Sequence, residues 1–347
     1  MTGSPSTPET RVATAETLNR DGLFATPRPW AGVKESYGAP GTAAAERMLT
    51  ARLFDSLEFE VLPGRGFDIG DTWHRGIPLS WFSPVRDARA LPSPSGTEWL
   101  SRFTGGLLTT CGFGTVGAAG NGEGMHGVVS HLPADEVSWQ LDEHGGVQFG
   151  AVVESVALFG PSFRMRRSIR AVAEGAVSRL TVTDVLTNIG PQAAPLSLLY
   201  HVNFGAPLVA PGTSVAIDGL GVTASAPHPE VPDWAVLPEP VSALTEAVFE
   251  HQGVAVDEDG FARATILSSA HDLGVVVEWT AATLPHLHQW VFPTRGRWAL
   301  GIEPSTAPLF GPLREGPNAG APVLQPGHSR THTVRISVGP TEAISRA

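Results

Sequence analysis

A histidine in the middle of the chain has the setting of a proton-transfer group. His201 lies in residues 198–207, LLYHVNFGAP. Read as a strand, this stretch places Leu199, His201 and Asn203 on one face and apolar side chains on the other. An imidazole on a rigid strand, with an amide two residues away, suits acid–base chemistry. The alternative is a structural histidine whose ring is hydrogen-bonded by local backbone.

A glutamate a hundred residues later lies on a strand whose same face is otherwise bare. In residues 298–305, WALGIEPS, strand spacing places Ala299, Gly301 and Glu303 together. A surface strand would more often carry Thr, Lys or Arg there. We therefore predict that the Glu303 carboxylate lies beside an open surface of small residues, as a pyranose ring would require.

A second histidine is framed by glycines. His126 lies in residues 124–127, GMHG, so its neighbours add little side-chain bulk and the imidazole can project into a cavity. The pattern fits a functional and a structural histidine about equally well. His126 is therefore a candidate catalytic residue whose role depends on its partners.

Further candidates are polar or aromatic residues suited to binding a sugar. His286, His288 and Trp290 share one face of residues 284–292, LPHLHQWVF. They suit a cleft of polar groups with a stacking tryptophan, or less well a metal site, for which no recognisable ligand spacing is present. Trp81 is a second stacking candidate, and Asn203 a hydrogen-bonding one.

Arg65 lies between two glycines in residues 63–70, PGRGFDIG. A guanidinium in this setting suits forked hydrogen bonds to sugar hydroxyls or to a carboxylate. A structural pair with Asp68, three residues later, is the alternative.

Two apparent motifs near residue 112 predict little chemistry. Residues 112–117, GFGTVG, match a dinucleotide fingerprint, but the following AAGNGEG cannot sustain the helix that would bind a pyrophosphate. These glycines are more typical of backbone that passes close to a ligand or another strand. Cys111 beside them is expected to be a buried apolar cysteine rather than a nucleophile. No cofactor is expected.

Short strands dominate the rest of the chain, and they must position these groups. Val-, Ile- and Thr-rich runs of strand length, bounded by Gly, Pro, Asn or Asp, recur from residue 57 onward. The one helix-like run is Thr42 to Phe54. No fixed repeat and no linker is found. We predict an all-β fold, a single large antiparallel β-sandwich over residues 46–347, preceded by a partly irregular arm over residues 1–45.

Composition excludes several classes of partner. The 347 residues carry a formal net charge of −11, which disfavours binding to nucleic acid or to an anionic membrane surface. No apolar run has the length of a membrane span. A polar N-terminus and a single cysteine predict a cytoplasmic protein without internal disulfides. The expected partner is a small-molecule carbohydrate, bound by a monomer or homodimer.

Several stretches together resemble the aldose 1-epimerase (galactose mutarotase-like) superfamily. They are PGRGFDI at 63–69, GGLLTTCG at 105–112, MHG at 125–127, YHVNFG at 200–205 and GIEPS at 301–305. The resemblance implies a large antiparallel β-sandwich and interconversion of sugar anomers, with Glu303 as general base, His201 as general acid and His126 near the ring oxygen. The family's early Asn-Arg motif and its substrate-binding aspartate have no clear match, so the sugar stays open. A lyase or isomerase of keto- or acidic sugars and a non-catalytic carbohydrate-binding protein are the alternatives.

Overall fold

Antiparallel strands are the main regular structure of the described chain. The computed structural model describes residues 21–23, 26, 28–38, 46–86, 89–91, 93–120, 122–142, 145–226 and 229–346. In chain order the strands are β1 (Ala31–Tyr37), β2 (Arg47–Leu53), β3 (Leu57–Leu62), β4 (Asp68–His74), β5 (Ile77–Pro78), β6 (Trp81–Phe82), β7 (Gly105–Gly106), β8 (Leu108–Phe113), β9 (Ala134–Leu141), β10 (Val147–Ser155), β11 (Phe163–Glu174), β12 (Val177–Asn188), β13 (Ala194–Pro195), β14 (Ser197–Phe204), β15 (Ser214–Ala216), β16 (Gly221–Ala226), β17 (Ala247–Gln252), β18 (Phe261–Leu267), β19 (Gly274–Thr280), β20 (His286–Phe292), β21 (Ala299–Ser305), β22 (Val323–Leu324) and β23 (Ser329–Gly339).

Helices are few and short. Within the described ranges the α-helices are α1 (Pro312–Glu315) and α2 (Thr341–Ser345), and the 3₁₀ turns are Glu98–Ser101, Val129–His131 and Pro317–Gly320. None of these described helices is long and apolar enough to cross a membrane.

Two sheets form the body of the sandwich. The larger runs in the order β1-β2-β3-β4-β8-β14-β21-β20-β17-β16, with β5 beside β4, and the smaller runs β15-β18-β19-β23-β12-β11-β10-β9. Period-2 sequences produce this arrangement: β3 and β12 alternate buried and partly exposed residues along their whole lengths, so each strand buries one face between the sheets. The all-β antiparallel prediction is confirmed.

Strand β14 lies near the centre of the larger sheet and is buried on both faces. All eight of its residues are buried. Tyr200, Val202 and Phe204 belong to the main core between the sheets, whereas Leu199 belongs to a second apolar cluster on the opposite face. We call that opposite face the site face, because it carries His201.

A buried ion network joins the two sheets directly beneath β14. Arg167 of β11, whose side chain has no exposed surface, contacts Asp184 of β12 at 2.7 Å and Asp68 of β4 at 2.7 Å. Tyr200 donates its hydroxyl to the same Asp184 at 2.7 Å. Asp68 also accepts hydrogen bonds from the backbone and hydroxyl of Thr110. Strand β14 is therefore fixed to the opposite sheet at the residue that precedes His201.

The helix prediction for residues 42–54 is wrong over its described part. Residues 47–53 form β2, because Leu49, Ala51 and Leu53 are buried with a period of two and pair with β1 and β3. Residues 42–45 lie outside the described ranges. Within the predicted arm, residues 31–37 form the edge strand β1, and residues 1–20 are outside the described part. The division at residue 45 stays a prediction.

Candidate active site

A row of polar side chains crosses the site face at the middle of the larger sheet. His288 of β20 lies directly opposite Glu303 of β21, and Glu250 of β17 lies opposite His288. The pairing of β21 with β14, set by Val202 opposite Ile302, continues the row to His201. Directly paired residues of antiparallel strands point to the same face. The sheet register therefore places two carboxylates and two imidazoles alternately along one line.

The closest contact in this row joins His201 and Glu303. The His201 Nε2 and Glu303 Oε1 atoms are 3.2 Å apart, and the two side chains are only 6% and 3% exposed. The Nδ1 atom of His201 and the Oδ1 atom of Asn203 have no hydrogen-bond partner among the described residues, while Asn203 Nδ2 donates to the His201 carbonyl. Asn203, the amide predicted to accompany His201, thus shares its strand face.

The small residues beside Glu303 are required by the packing. Ala299 lies in the site-face cluster, and Leu300 and Ile302 point into the main core, as the strand reading of this segment expects. A Cβ atom on Gly301 would come within 2.8 Å of Glu303 Oε1 and 3.2 Å of His201 Cε1. Only a residue without a side chain leaves the two groups in contact.

Replacing Gly301 by alanine should therefore displace the carboxylate while leaving the fold intact. The atom that would be struck is the end of a movable side chain, so we expect less than about 1 kcal/mol change in unfolding free energy. If the chain catalyses the anomer exchange that the family resemblance implies, the exchange rate should fall by about tenfold or more, since misplacing a reacting group is costly. Thermal denaturation and polarimetry of a freshly dissolved aldose would measure both effects. Gly221→Ala is the control, because a Cβ there meets only Gln252 Oε1 at 3.8 Å.

His126 is held in an unusual backbone conformation at the edge of the site. Its φ is +59° and that of Gly127 is +67°. Its carbonyl accepts a hydrogen bond from Gly112 N–H at 2.8 Å, and Val128 N–H donates to the Gly112 carbonyl at 2.9 Å. A Cβ on Gly127 would lie 2.5 Å from the Gly112 carbonyl oxygen. The glycines around residue 112 thus serve close backbone approach, and they fix a strained residue of the kind found at functional sites.

The three candidate catalytic residues lie together. The His126 and His201 rings are 6.0 Å apart, centroid to centroid. The Nδ1 atom of His126 accepts a long hydrogen bond from Gly117 N–H at 3.4 Å. The proton of the neutral ring is therefore assigned to Nε2, which makes His126 a hydrogen-bond donor.

Burial favours the uncharged form of each of these groups. It raises the pKa of Glu303 to about 8, with a smaller contribution from the charge of Glu246. It lowers the pKa of His201 to about 3, helped by His126, and lowers the pKa of His126 to about 4, helped by Arg314. Because His201 and Glu303 are in contact, they behave as one unit that holds a single proton near neutral pH.

Aromatic rings enclose the site. Trp81 and Trp290, both predicted as stacking residues, lie 5.5 Å apart, and Trp290 is 5.4 Å from His201. The sequence reading missed Trp99 and Phe103, whose rings lie 4.3 Å from His126 and 5.1 Å from His201 respectively. An aromatic pair four residues apart in a Gly/Ser/Thr-rich stretch is the only sequence signal for them.

Arg65 lies beneath this aromatic segment. Its side chain is buried, and its Nη2 donates to the Arg102 carbonyl at 2.9 Å. The ion-pair partner of Asp68 is Arg167, so the Arg65–Asp68 pair considered from the sequence is not the one that forms.

His288 is fully buried on the far side of Glu303 from His201. Its Nε2 accepts a hydrogen bond from Leu309 N–H at 3.3 Å. His286 lies 4.0 Å from Glu250. No group of three or more His, Cys, Asp or Glu side chains within the described ranges could hold a metal ion. His288 thus lies behind Glu303 as seen from His201, and its role in sugar binding stays a prediction.

Comparisons with known proteins identify the fold. A family model described as a domain of unknown function (DUF4432) matches residues 43–338. A search of curated proteins found no match. A protein from Klebsiella pneumoniae, provisionally named aldose 1-epimerase, superposes with a TM-score of 0.81 at 21% identity, covering 91% of this chain and 85% of that one.

More distant structures share the same architecture. One from Escherichia coli K12, also provisionally named aldose 1-epimerase, has a TM-score of 0.58 at 16% identity and covers 89% of this chain and 100% of its own. Galactose 1-epimerase from Lactobacillus acidophilus has a TM-score of 0.59 at 11% identity, with 89% and 98% covered. These likenesses show that the fold is the galactose mutarotase-like sandwich.

Proposed function

The chain belongs to the DUF4432 family, and we propose that it is a cofactor-independent aldose 1-epimerase that interconverts the α and β anomers of a free sugar. The observation that carries the proposal is the 3.2 Å contact between His201 Nε2 and Glu303 Oε1, two almost fully buried groups on a sheet face enclosed by aromatic rings. The provisional names of the structural neighbours agree with this reaction class.

The proton count of the pair fits the reaction. Mutarotation requires a base to take the C1 hydroxyl proton and an acid to protonate the ring oxygen, so the ring opens to the aldehyde. Burial favours the pair as carboxylic acid and neutral imidazole, and a shift of the shared proton from Glu303 to His201 gives the carboxylate and imidazolium that act on the sugar. The two transfers then return Glu303 to the carboxylic acid and His201 to the neutral imidazole. Both forms hold one proton in total. After rotation about the C1–C2 bond, closure on the other face reverses both transfers and restores the pair, so no external acid, base or cofactor is needed.

His126 fits the role of a neutral donor to the ring oxygen. Burial lowers its pKa to about 4, so the ring is uncharged near pH 7, and the assigned Nε2 proton is available for donation. A neutral donor stabilises the charge that develops at the ring oxygen without competing with His201 for the transferred proton. Trp81 and Trp290 would line the wall of the sugar site, and Asn203 would hold the backbone of His201 through the hydrogen bond to its carbonyl.

The direct test measures anomer exchange of free sugars. Freshly dissolved α-D-glucose, α-D-galactose and a set of other aldoses would be followed by polarimetry, and exchange at equilibrium by NMR, with the spontaneous rate subtracted. Acceleration proportional to protein concentration supports the proposal. Sugar binding with no acceleration for any sugar that binds would overturn it and indicate a carbohydrate-binding protein.

The pH dependence of turnover follows from the shared proton. The active pair holds one proton, and this form exists between the lowered pKa of His201, about 3, and the raised pKa of Glu303, about 8. We therefore expect kcat/KM to be nearly constant from about pH 5 to 7 and to fall as the pH rises through about 8, where the pair loses its proton. A rise in kcat/KM through pH 8, after correction for spontaneous exchange, would contradict this assignment.

A further inference from the structure

The two proposed proton-transfer groups are closed off in this structure. Glu303 and His201 are 2% and 4% exposed. Residues 96–104, here called the cover segment, account for much of this closure. Trp99, on the 3₁₀ turn Glu98–Ser101, and Phe103 are themselves only 2% and 6% exposed and stack on each other at 4.3 Å. A pyranose ring cannot contact both proton-transfer groups unless these rings move.

The cover segment is a compact unit with a glycine turn at each end. Its turn is closed by internal hydrogen bonds from Leu100 N–H to the Thr97 carbonyl and from Arg102 N–H to the Trp99 carbonyl. It begins at Gly96, whose φ is +49°, and is followed by Gly105, whose φ is +82°. The backbone at both ends of the segment therefore has a positive φ, which glycine adopts without strain.

Side-chain hydrogen bonds, which can break and re-form, help to attach the cover segment to the rest of the protein. Trp99 Nε1 donates to Ser130 Oγ at 3.2 Å, and Arg65 Nη2 donates to the Arg102 carbonyl at 2.9 Å. Backbone bonds at the two ends, Met125 N–H to Gly96 O and Ser83 N–H to Thr104 O, lie where a hinge would be. The buried Arg65 thus holds the end of the segment that carries Phe103.

We infer that Trp99 and Phe103 are substrate-contacting residues: the cover segment opens to admit a sugar and closes with this stacked pair against the apolar C–H face of the ring. Arg65 is a positioning residue that acts on the segment through the Arg102 carbonyl. The inference rests on the proposed function, since it takes the occupant of the site to be a neutral sugar. It assigns the walls of the site that face His126 and His201.

Chemical access to the histidines tests the closure without any sugar. Diethyl pyrocarbonate acylates neutral imidazoles, and peptide mass spectrometry resolves each one. Trp99→Ala should raise the labelling rates of His126 and His201 by about tenfold or more, because the closed state loses a buried aromatic side chain. Leu100→Ala, on the same turn but 52% exposed, is the matched control and should label like the wild type.

Internal standards in the same experiment separate opening from unfolding. His328 is exposed and should label equally in every variant, whereas His332, fully buried in the main core, should stay unlabelled in any folded protein. If Trp99→Ala exposes His332, Phe103→Leu and Arg65→Met take its place. Unchanged labelling of His126 and His201 in folded variants would overturn the inference.

Kinetics with sugar test the contact itself. With D-galactose or another aldose that the wild type turns over, Phe103→Leu and Trp99→Ala should raise KM by about tenfold, and Trp99→Phe should restore most of the loss. A fall in kcat with unchanged KM would contradict sugar contact. If no sugar is turned over, the proposed function fails while the labelling result still decides whether the segment covers the site.

Discussion

Replacing Glu303 by glutamine should lower the rate of anomer exchange by about 10²–10⁴-fold, the usual contribution of one positioned proton transfer. Glutamine keeps the shape of the side chain and its place beside Gly301, but it cannot take the C1 proton. Because burial raises the pKa of Glu303, loss of the ionisable group should not destabilise the fold, and a small gain in thermal stability at neutral pH is expected. Polarimetry and thermal denaturation measure the two effects.

A matched control lies on the same row of the sheet. Glu250 is a half-buried carboxylate opposite His288 but separated from Glu303 by that histidine. Glu250→Gln should keep turnover within a few-fold of the wild type. His201→Asn should resemble Glu303→Gln, and the double variant should lose little more than either single variant, since the two groups act on one proton. Full activity in Glu303→Gln would show that Glu303 is not the general base.

Much of the site could be predicted because strand spacing carries its geometry. Alternation along residues 198–204 and 299–305 separates a core face from a face with His201 and Glu303, and the structure shows that separation. The small residues beside Glu303 were informative for the same reason, since Gly301 is the position where a side chain would collide with both groups. Local pattern was sufficient here because a strand fixes the direction of each side chain.

Other parts depend on contacts between distant segments, which spacing does not encode. Trp99 and Phe103 reach the histidines from a turn without strand or helix periodicity. Arg65 contacts the backbone of Arg102, whereas its setting between glycines suggested forked hydrogen bonds to sugar hydroxyls or a carboxylate. Residues 47–53 were predicted as helical because Met48, Leu49 and Leu53 fall on one side of a helix, but the segment pairs with β1 and β3 as a strand.

The buried network beneath β14 links the stability of the sandwich to the placement of the site. Tyr200 and His201 are neighbours on one strand, and they point to opposite faces. The first is bonded to Asp184 in the facing sheet, and the second contacts Glu303. A change in the network therefore shifts the strand that carries the proposed acid. Three charged side chains are buried together in this network, so a large loss of stability is expected there.

Replacing Arg167 by methionine should destabilise the protein by about 3–5 kcal/mol, because two buried carboxylates lose the charge that compensates them. The neighbouring Arg166→Met is the control: its ion pair with Glu136 is exposed, with side chains 57% and 68% accessible, and should contribute about 0–1 kcal/mol. Burial already raises the pKa of Asp68 with Arg167 in place, and removal of the guanidinium raises it further.

A carboxyl group whose pKa is raised by folding destabilises the folded state. This cost is absent below the unfolded-state pKa of about 3.9 and grows as the pH rises above it. The penalty for Arg167→Met should therefore be larger at pH 7 than at pH 5, whereas that for Arg166→Met should hardly change. Urea denaturation of both variants at the two pH values measures this. A penalty for Arg167→Met that is small and independent of pH would show that the network holds the sheets together through packing and hydrogen bonds, with its charges contributing little.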